Sequence, residues 1–231
     1  MGSAVPNRRD CRDSKSLTSA ESNHRRGLSR EFFIALARKH NERHFLIDKE
    51  SIQQAASAII EAIGEDPKRE GLVDTPRRIA QMYEEFFSGL AQDPVEVLAT
   101  GFEESHDELV VLRDIPFFSV CEHHFLPFYG TAHVGYVPRG RVVGASKLAR
   151  ALDILARRPQ IQERLTNQLA DAILTAASPA GVATVLSAEH MCMTLRGVRK
   201  PGSKIVTSAS RGTLRTQAAT KREFLALISG T

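Results

Sequence analysis

Two long helical patterns follow one another directly between residues 146 and 177, and this order limits the fold more than any other feature of the sequence. Helices are predicted over 146–157 and 160–177, where apolar residues recur every three or four positions. The other predicted elements are strands over 109–120, 130–137, 182–195 and 204–208 and a closing helix over 216–228, and the first strand is predicted to be interrupted at Asp114. Because the strands come in pairs and do not alternate singly with helices, the order predicts an α+β fold with an antiparallel sheet.

A smaller helical part precedes the strands. Apolar residues at alternating spacings of three and one predict an amphipathic helix over 51–63. A second helix is predicted from Thr75, whose hydroxyl would cap it, through Pro76 at its first helical position. The chain is therefore divided into an arm (1–29), an N-terminal helical part (30–100) and a sheet-containing domain (101–231).

The net charge of +4 is concentrated near the amino terminus. Residues 1–48 hold ten Lys and Arg against six Asp and Glu, so the remaining residues are electrically neutral. A nucleic-acid-binding domain usually has a basic face on its folded part, and the sequence predicts none. The arm reads as a disordered basic tail. Its acidic residues Asp10, Asp13 and Glu21 count against the alternative of a transit peptide.

Apolar runs and cysteines indicate the compartment. No apolar run approaches the ~18 residues that span a bilayer, and the first thirty residues lack the apolar stretch of a secretory signal. Three cysteines are too few, and an odd number, for a disulfide scaffold. We therefore expect a cytoplasmic protein without membrane contact, whose reduced thiols are available for a metal or for catalysis.

The strongest functional signal is the run Cys121-Glu122-His123-His124, directly after a predicted strand. Its Cys-x-x-His spacing lets a tight loop direct two side chains at one ion. Far downstream lies His190-Met191-Cys192, which the pattern places in a strand, so that His190 and Cys192 would share a face. Together the two segments offer two thiolates and up to three imidazoles, which are zinc ligands.

Three interpretations of this constellation stay open from spacing alone. Cys121, His124 and Cys192 could hold a catalytic zinc with an open fourth position, leaving His123 and His190 free as proton carriers. One of those two histidines could instead close a structural site as the fourth ligand. The residues could also be buried thiols and core histidines without a metal.

Cationic residues gather in the second half of the chain. Ser146 and Lys147 open a predicted helix, and Arg150 lies one turn further on roughly the same face, an arrangement that suits a phosphate group. Arg196 and Arg199 follow directly after the second metal-binding segment, so we expect them near the metal.

One carboxylate, Glu163, opens the helix predicted over 160–177. The helix dipole favours a carboxylate in a first turn, which explains the residue without any function. The alternative is a carboxylate that accepts N–H bonds from the edge of a purine. The sequence alone does not choose between these two interpretations.

Five motifs occur in an order known from one enzyme family. They are Cys121-Glu122-His123-His124-Phe125, Gly144-Ala145-Ser146-Lys147-Leu148-Ala149-Arg150, Arg158-Pro159-Gln160-Ile161-Gln162-Glu163-Arg164-Leu165, Glu189-His190-Met191-Cys192-Met193 and Arg196-Gly197-Val198-Arg199. With them the chain resembles the zinc-dependent GTP cyclohydrolase I family over roughly residues 50–230. The arm before about residue 48 is not covered.

The resemblance implies the tunnelling fold, in which a small N-terminal helical part precedes an antiparallel sheet backed by two long helices. It also implies a homodecamer of two stacked pentamers with active sites at subunit interfaces. Zn²⁺ would be held by Cys121, His124 and Cys192, with water at the fourth position. The implied reaction converts GTP and water into formate and 7,8-dihydroneopterin triphosphate, the first step of tetrahydrofolate and pterin biosynthesis.

The same resemblance implies roles for the other residues. His190 would protonate the purine at N7, and His123 and Ser146 would carry protons in later steps. Glu163, with Gln162, would hold the guanine edge. The residues expected to bind the triphosphate are Lys147, Arg150, Arg196 and, from a neighbouring subunit, Arg78.

Two departures from the family pattern and two rival functions bear on this expectation. Ala145 stands where many relatives have leucine, and Gln81 stands where some relatives place a lysine that assists the phosphates.

One rival is a related tunnelling-fold enzyme that acts on another purine or pterin. The other is a non-catalytic, zinc-stabilised scaffold, which four protein ligands at the metal would favour.

Overall fold

The computed structural model describes residues 47–229, which contain seven strands. These are β1 (Gly101–Glu103), β2 (Val110–Cys121), β3 (Pro127–Val137), β4 (Arg141–Val143), β5 (Pro159–Gln160), β6 (Gly181–His190) and β7 (Lys204–Gly212). Five of them form one sheet in the order β5-β2-β3-β6-β7, while β1 and β4 form a separate antiparallel pair. The five-stranded sheet is antiparallel except where β5 pairs with β2. The predicted α+β class is therefore confirmed.

Two long helices pack against this sheet. The described helices are α1 (Lys49–Ala62), α2 (Thr75–Phe86), α3 (Pro94–Leu98), α4 (Ala145–Ala156), α5 (Gln162–Ala177), α6 (Met191–Thr194), α7 (Thr213–Thr216) and α8 (Ala218–Ser229). Apolar residues of α4 and α5 form the main core with Phe128, Val134 and Leu186 of the sheet. On β6, Ala183 alternates with the core residue Val182 and packs with Phe224 of α8 in a second cluster.

The predicted interruption of the first long strand at Asp114 is a β-bulge. The register between β2 and β3 shifts between Leu112 and Ile115, and Asp114 has a φ of 57°. Its backbone N–H donates to Nδ1 of His133 on β3. His133 therefore serves as a hydrogen-bond acceptor for the backbone of the bulge.

The N-terminal helical part is only partly as predicted. The helix expected over 51–63 is α1, but Ile59 and Ile63 of its apolar stripe are 63% and 73% exposed. The second helix begins at Thr75, yet its N-cap residue is Asp74, so the predicted cap by the Thr75 hydroxyl is wrong. The arm (1–29) and residues 30–46 lie outside the described residues, and the domain boundaries stay predictions. Among residues 47–229, every helix is too short or too polar to cross a bilayer.

Candidate metal centre

Strand β2 ends at Cys121, and a tight loop returns the chain to β3. The Cys121 N–H donates to the Leu126 oxygen, and the Phe125 N–H donates to the Cys121 oxygen, both at 2.9 Å. Phe125 closes the turn with a φ of 53°, a conformation that is uncommon for a bulky residue. The loop places the thiol of Cys121 and the imidazole of His124 in one group of potential ligands.

Cys192 completes this group, but from a helical turn. Strand β6 ends at His190, and the backbone becomes helical at Met191, so Cys192 lies in α6. The prediction that His190 and Cys192 share a strand face is therefore wrong. One ligand atom each from Cys121, His124 and Cys192 lies within 4.8 Å of the others. Within residues 47–229, the group has these three members, and His123 and His190 are not among them.

The donor set suits a zinc ion, because zinc binds thiolate sulfur and imidazole nitrogen. Cys121 is buried, Cys192 is partly buried and His124 is exposed, so the group is accessible from the side of His124. Burial raises the pKa of the Cys192 thiol, and the neighbouring Cys121 raises it further, because two adjacent thiolates repel each other. A divalent cation would remove this repulsion by binding both sulfurs as thiolates.

An ion pair that was not predicted from the sequence links the ligand loop to α5. Arg164 on α5 donates two hydrogen bonds to the Glu122 carboxylate, at 2.6 and 3.0 Å. These bonds lower the pKa of Glu122. The Glu122 N–H also donates to the Gln160 oxygen at 3.0 Å. The sequence shows that Glu122 and Arg164 have opposite charges and lie in two of the five family motifs. Only the fold shows that these two side chains form an ion pair.

Aromatic side chains hold the same loop from the N-terminal helical part. The Phe125 ring meets Tyr83 and Phe87 edge to face, with ring centroids 6.2 and 5.7 Å apart. Tyr83 and Phe87 stack on each other at 5.5 Å. Such pairs contribute about 0.5–1.5 kcal/mol each beyond the area they bury. Helix α2 and the residue that follows it therefore support the loop that carries Cys121 and His124, the first two potential ligands.

Arg164→Gln is expected to weaken metal binding by the three-residue group, because it releases Glu122 next to Cys121, a potential ligand. Outer partners of this kind typically change metal affinity about 10- to 100-fold, and we expect an effect near the lower end. Competition with a chromophoric chelator measures the affinity. Arg69→Gln is the matched control, since it removes an exposed Arg–Glu pair formed within the 65–69 segment. Equal zinc affinities in the two variants would contradict the supporting role of Arg164.

Two of the predicted proton carriers, His190 and His123, differ in their exposure. His190 is buried at the end of β6, and its ring stacks on Phe128 at 4.5 Å with a 3° angle between the planes. Burial lowers the pKa of His190, while the charge of Glu163 acts in the opposite direction. His123 is exposed, and its Nδ1 lies 3.7 Å from Sγ of Cys121.

The two residues predicted to hold the guanine edge face different surroundings. Glu163 is exposed in the first turn of α5. The Gln162 side chain is 1% exposed, and its amide nitrogen bonds to the backbone oxygens of Leu186 and Ile205. The predicted contact between this side chain and guanine does not fit the structure, because the amide is inside the protein and already hydrogen-bonded.

A sequence profile of the GTP cyclohydrolase I family matches residues 52–229. The chain belongs to the GTP cyclohydrolase I family. It is 61% identical to the GTP cyclohydrolase 1 of Halalkalibacterium halodurans, over 80% of this chain and 98% of the relative. It is 60% identical to that of Carboxydothermus hydrogenoformans, over 79% and 96%. A solved archaeosine synthase QueF-Like in the apo form aligns at 22% identity with a TM-score of 0.38, covering 47% of this chain and 97% of that one.

The fold agrees with what GTP cyclohydrolase I membership implies. An antiparallel sheet is backed by α4 and α5, and a helical part precedes it, as in the tunnelling fold. The cyclohydrolase motifs around Cys121 and Cys192 meet in space, although some 70 residues separate them in the sequence. Arg196 follows α6 directly, and its charge opposes the rise of the Cys192 pKa, so it too lies near the group.

Ser146 and Lys147 of the cyclohydrolase chain lie far from the ligands of the same chain. They open α4 after β4, where the Val143 N–H donates to the Tyr136 hydroxyl at 2.9 Å. Strand β3 begins beside the ligand group, since the Cys121 N–H donates to the Leu126 oxygen directly before the strand, and Phe128 is the second residue of β3. From there to Tyr136, the strand extends about 27 Å at ~3.4 Å per residue.

The direction of α4 also indicates that Ser146 and Lys147 lie far from the ligand group. Its carboxyl end, not its amino end, approaches the end of β2, because the Ser119 hydroxyl donates to the Ala156 oxygen at 2.7 Å. Arg150, one turn into α4, lines a separate cavity of about 340 Å³ with Asp153 and Arg157. Three residues predicted for one active site are thus outside the metal group of their own chain.

Arg78 and Gln81 lie on α2. The Arg78 guanidinium is 66% exposed and lies 3.5 Å from the Asp74 carboxylate. The Gln81 amide oxygen accepts from Arg77 at 3.2 Å, so the position where some relatives carry a lysine is neutral and locally bonded. The Arg78 side chain is thus largely exposed and pairs with Asp74 at the N-cap of its own helix.

Proposed function

We propose that the chain hydrolyses GTP to 7,8-dihydroneopterin triphosphate and formate, the first step of tetrahydrofolate and pterin biosynthesis, at a zinc site formed by Cys121, His124 and Cys192. The observation that supports this most is the grouping of those three side chains, whose ligand atoms lie within 4.8 Å of one another. Zinc, when bound there, supplies a Lewis acid that lowers the pKa of a water molecule towards ~7. We expect the cytoplasm as the compartment, since the thiol ligands need to stay reduced.

His190 and His123 divide the proton transfers. His190 gives a proton to N7 of the purine, which makes C8 electrophilic towards water. One water adds to C8 and one of its two C–N bonds breaks, which opens the ring and leaves a formamide. A second water cleaves the remaining C–N bond and releases C8 as formate. Its burial and its stacking on Phe128 support this role, because they hold the ring in one orientation. The exposed His123 carries protons during the opening and rearrangement of the ribose, together with Ser146.

Glu163 selects guanine. A carboxylate accepts two hydrogen bonds from the N1–H and the 2-amino group of guanine, and adenine lacks both donors. The position of Glu163 in the first turn of α5, exposed and close enough to act on His190, supports this role. Sites that hydrogen-bond a polar substrate group reject analogues that lack it, by about 10⁴-fold or more.

A second copy of the chain supplies Ser146, Lys147 and Arg150. The separation of these residues from the metal ligands of their own chain supports this proposal, since the triphosphate has to be near the same GTP molecule as the zinc. Arg78 comes from a neighbouring copy, and Arg196 comes from the chain that holds the metal. Strand β7 lies at a sheet edge with Val206 64% exposed, which is compatible with pairing between copies. The assembly implied by the family resemblance is a decamer of two pentamers.

Subunit mixing tests this shared site. Cys192→Ala and the double variant Lys147→Ala Arg150→Ala are each expected to be inactive alone. In mixed oligomers made by coexpression, a site with the metal group of one chain and the cations of the other is complete. Random assembly makes about one site in four complete, so about a quarter of the wild-type activity returns. Mixed oligomers without activity would contradict the proposal that two chains share the site.

Product identification tests the function itself. The zinc-loaded protein is incubated separately with GTP, ATP and dihydroneopterin triphosphate. We expect formate and, after oxidation, a fluorescent pterin from GTP alone. Turnover of another substrate instead of GTP would support the related tunnelling-fold enzyme. A metal with four protein ligands and no exchangeable water would support the scaffold.

A further inference from the structure

The Gln162 side chain connects α5 to two strands and to His190. Its amide nitrogen donates to the backbone oxygens of Leu186 on β6 and Ile205 on β7, at 3.1 and 2.9 Å. Because a backbone carbonyl only accepts, these two contacts identify which amide atom is the nitrogen. The other atom, Oε1, lies 2.8 Å from Nε2 of His190.

This contact determines where the imidazole carries its hydrogen. The amide oxygen has no proton to donate, so Nε2 of His190 is the donor. The neutral ring therefore has its N–H at Nε2 and its lone pair at Nδ1, so the proton that His190 gives to N7 is one that the ring has first taken up at Nδ1. Within residues 47–229, Nδ1 has no hydrogen-bond partner, which leaves it as the ring nitrogen that can meet a bound molecule.

A buried polar network prevents the amide from moving. The Gln162 nitrogen also donates to the Thr207 hydroxyl at 3.1 Å, and that hydroxyl lies 2.6 Å from the Thr166 hydroxyl. On its other side, the imidazole ring is stacked on Phe128. Ring plane and hydrogen position are thus both determined from inside the protein.

We propose that Gln162 is a positioning residue that sets the tautomer and orientation of His190 and so directs Nδ1 at the purine. This inference rests on the proposed function, because it takes His190 as the group that meets the purine ring. It assigns different tasks to two adjacent residues. Glu163 faces outward towards the substrate, whereas Gln162 faces inward and acts only through the imidazole.

Gln162→Met tests the proposal, since methionine has a similar length but offers the imidazole no oxygen. The His190 ring is then free to rotate and to change tautomer. We expect kcat to fall about 10- to 100-fold, since small misplacements of a catalytic group have effects of that order. The KM for GTP is expected to stay within about threefold, because the Gln162 side chain does not touch the substrate.

Thr207→Val is the matched control. It removes one partner of the same amide and disturbs the same buried network, but it leaves the bond between Oε1 and His190. We expect a similar drop in thermal stability, with kcat within about threefold of wild type. Equal losses of kcat in both variants would mean a merely structural role and would overturn the proposal. A higher KM with unchanged kcat in Gln162→Met would instead make Gln162 a GTP contact, which also overturns it.

A measurement that does not depend on enzyme activity tests the role of Gln162 independently of the proposed function. Nitrogen-15 solid-state NMR of the zinc-loaded, substrate-free protein, labelled at the histidine rings, reports each tautomer. The signals that are missing from the spectrum of the His190→Gln variant identify His190. We expect its N–H at Nε2 in the wild-type protein. In Gln162→Met we expect a changed mixture of the two tautomers. A wild-type ring with N–H at Nδ1 overturns the proposal whatever the activity. If the tautomer is as expected but the protein leaves GTP intact, the proposed function is refuted. Gln162 would still be the residue that sets the tautomer of His190.

Discussion

Cys192→Ala is expected to abolish metal retention and GTP hydrolysis together. The substitution leaves two of the three ligands that lie within 4.8 Å of one another. We expect activity to fall more than about 1,000-fold, beyond the 10- to 100-fold that residues behind the ligands typically contribute. Formate release measures the activity, and elemental analysis of the purified protein measures zinc per chain.

Cys11→Ala is the matched control for this substitution. It also removes one thiol, but at a position that the family resemblance does not cover, and we expect normal zinc content and activity. Thermal unfolding of both variants shows whether Cys192→Ala still folds. Full turnover by Cys192→Ala after thorough chelation would refute the zinc-dependent mechanism.

His190→Gln is expected to bind GTP and yet fail at the first ring opening. Other residues are proposed to hold the base and the triphosphate, so affinity does not depend on this imidazole. Loss of a general acid typically costs about 10²- to 10⁴-fold in rate, and we expect kcat to fall within that range. Equilibrium dialysis with GTP measures binding, and formate release measures the chemistry.

His133→Gln is the matched control, because His133 also lies in the sheet but bonds to the bulge at Asp114. We expect its kcat to stay within about threefold of wild type. A His190→Gln enzyme with normal kcat and a strongly weakened affinity for GTP would contradict the proposed proton transfer. It would make His190 a binding residue.

Local patterns predicted the elements of this fold well. The two adjacent helices appear as α4 and α5, and the interruption at Asp114 appears as a bulge. These features depend on short-range periodicity and on residues that break it, which the sequence displays directly. The pairing of strands into one antiparallel sheet followed from their order along the chain.

Features that depend on the path of the chain between elements were predicted less well. The strand pattern through residue 195 does not reveal that β6 ends at His190, so Cys192 was placed on the wrong kind of element. Which ligands share one ion was open from spacing and was selected by the family resemblance. The grouping of Cys121, His124 and Cys192 needed the tertiary structure.

The polar residues behind the site were the hardest to predict. Gln162 looks like a substrate contact because it precedes Glu163, yet the first turn of α5 directs the two side chains into different surroundings. Nor does the sequence show that Ser146 and Lys147 lie at the far end of β3. Residues of the family motifs are expected to act in one site, but they need not lie close together within one chain, because different copies can contribute them.

The support of the ligand loop by α2 has a consequence for heat tolerance. Phe125 holds a left-handed backbone that costs about 1–3 kcal/mol, and Tyr83 and Phe87 keep it there. A loosened helical part would let this turn relax while the sheet itself stays intact. Inactivation on warming would then begin as loss of cofactor from a folded scaffold, and engineering for durability would start at the contacts of α2.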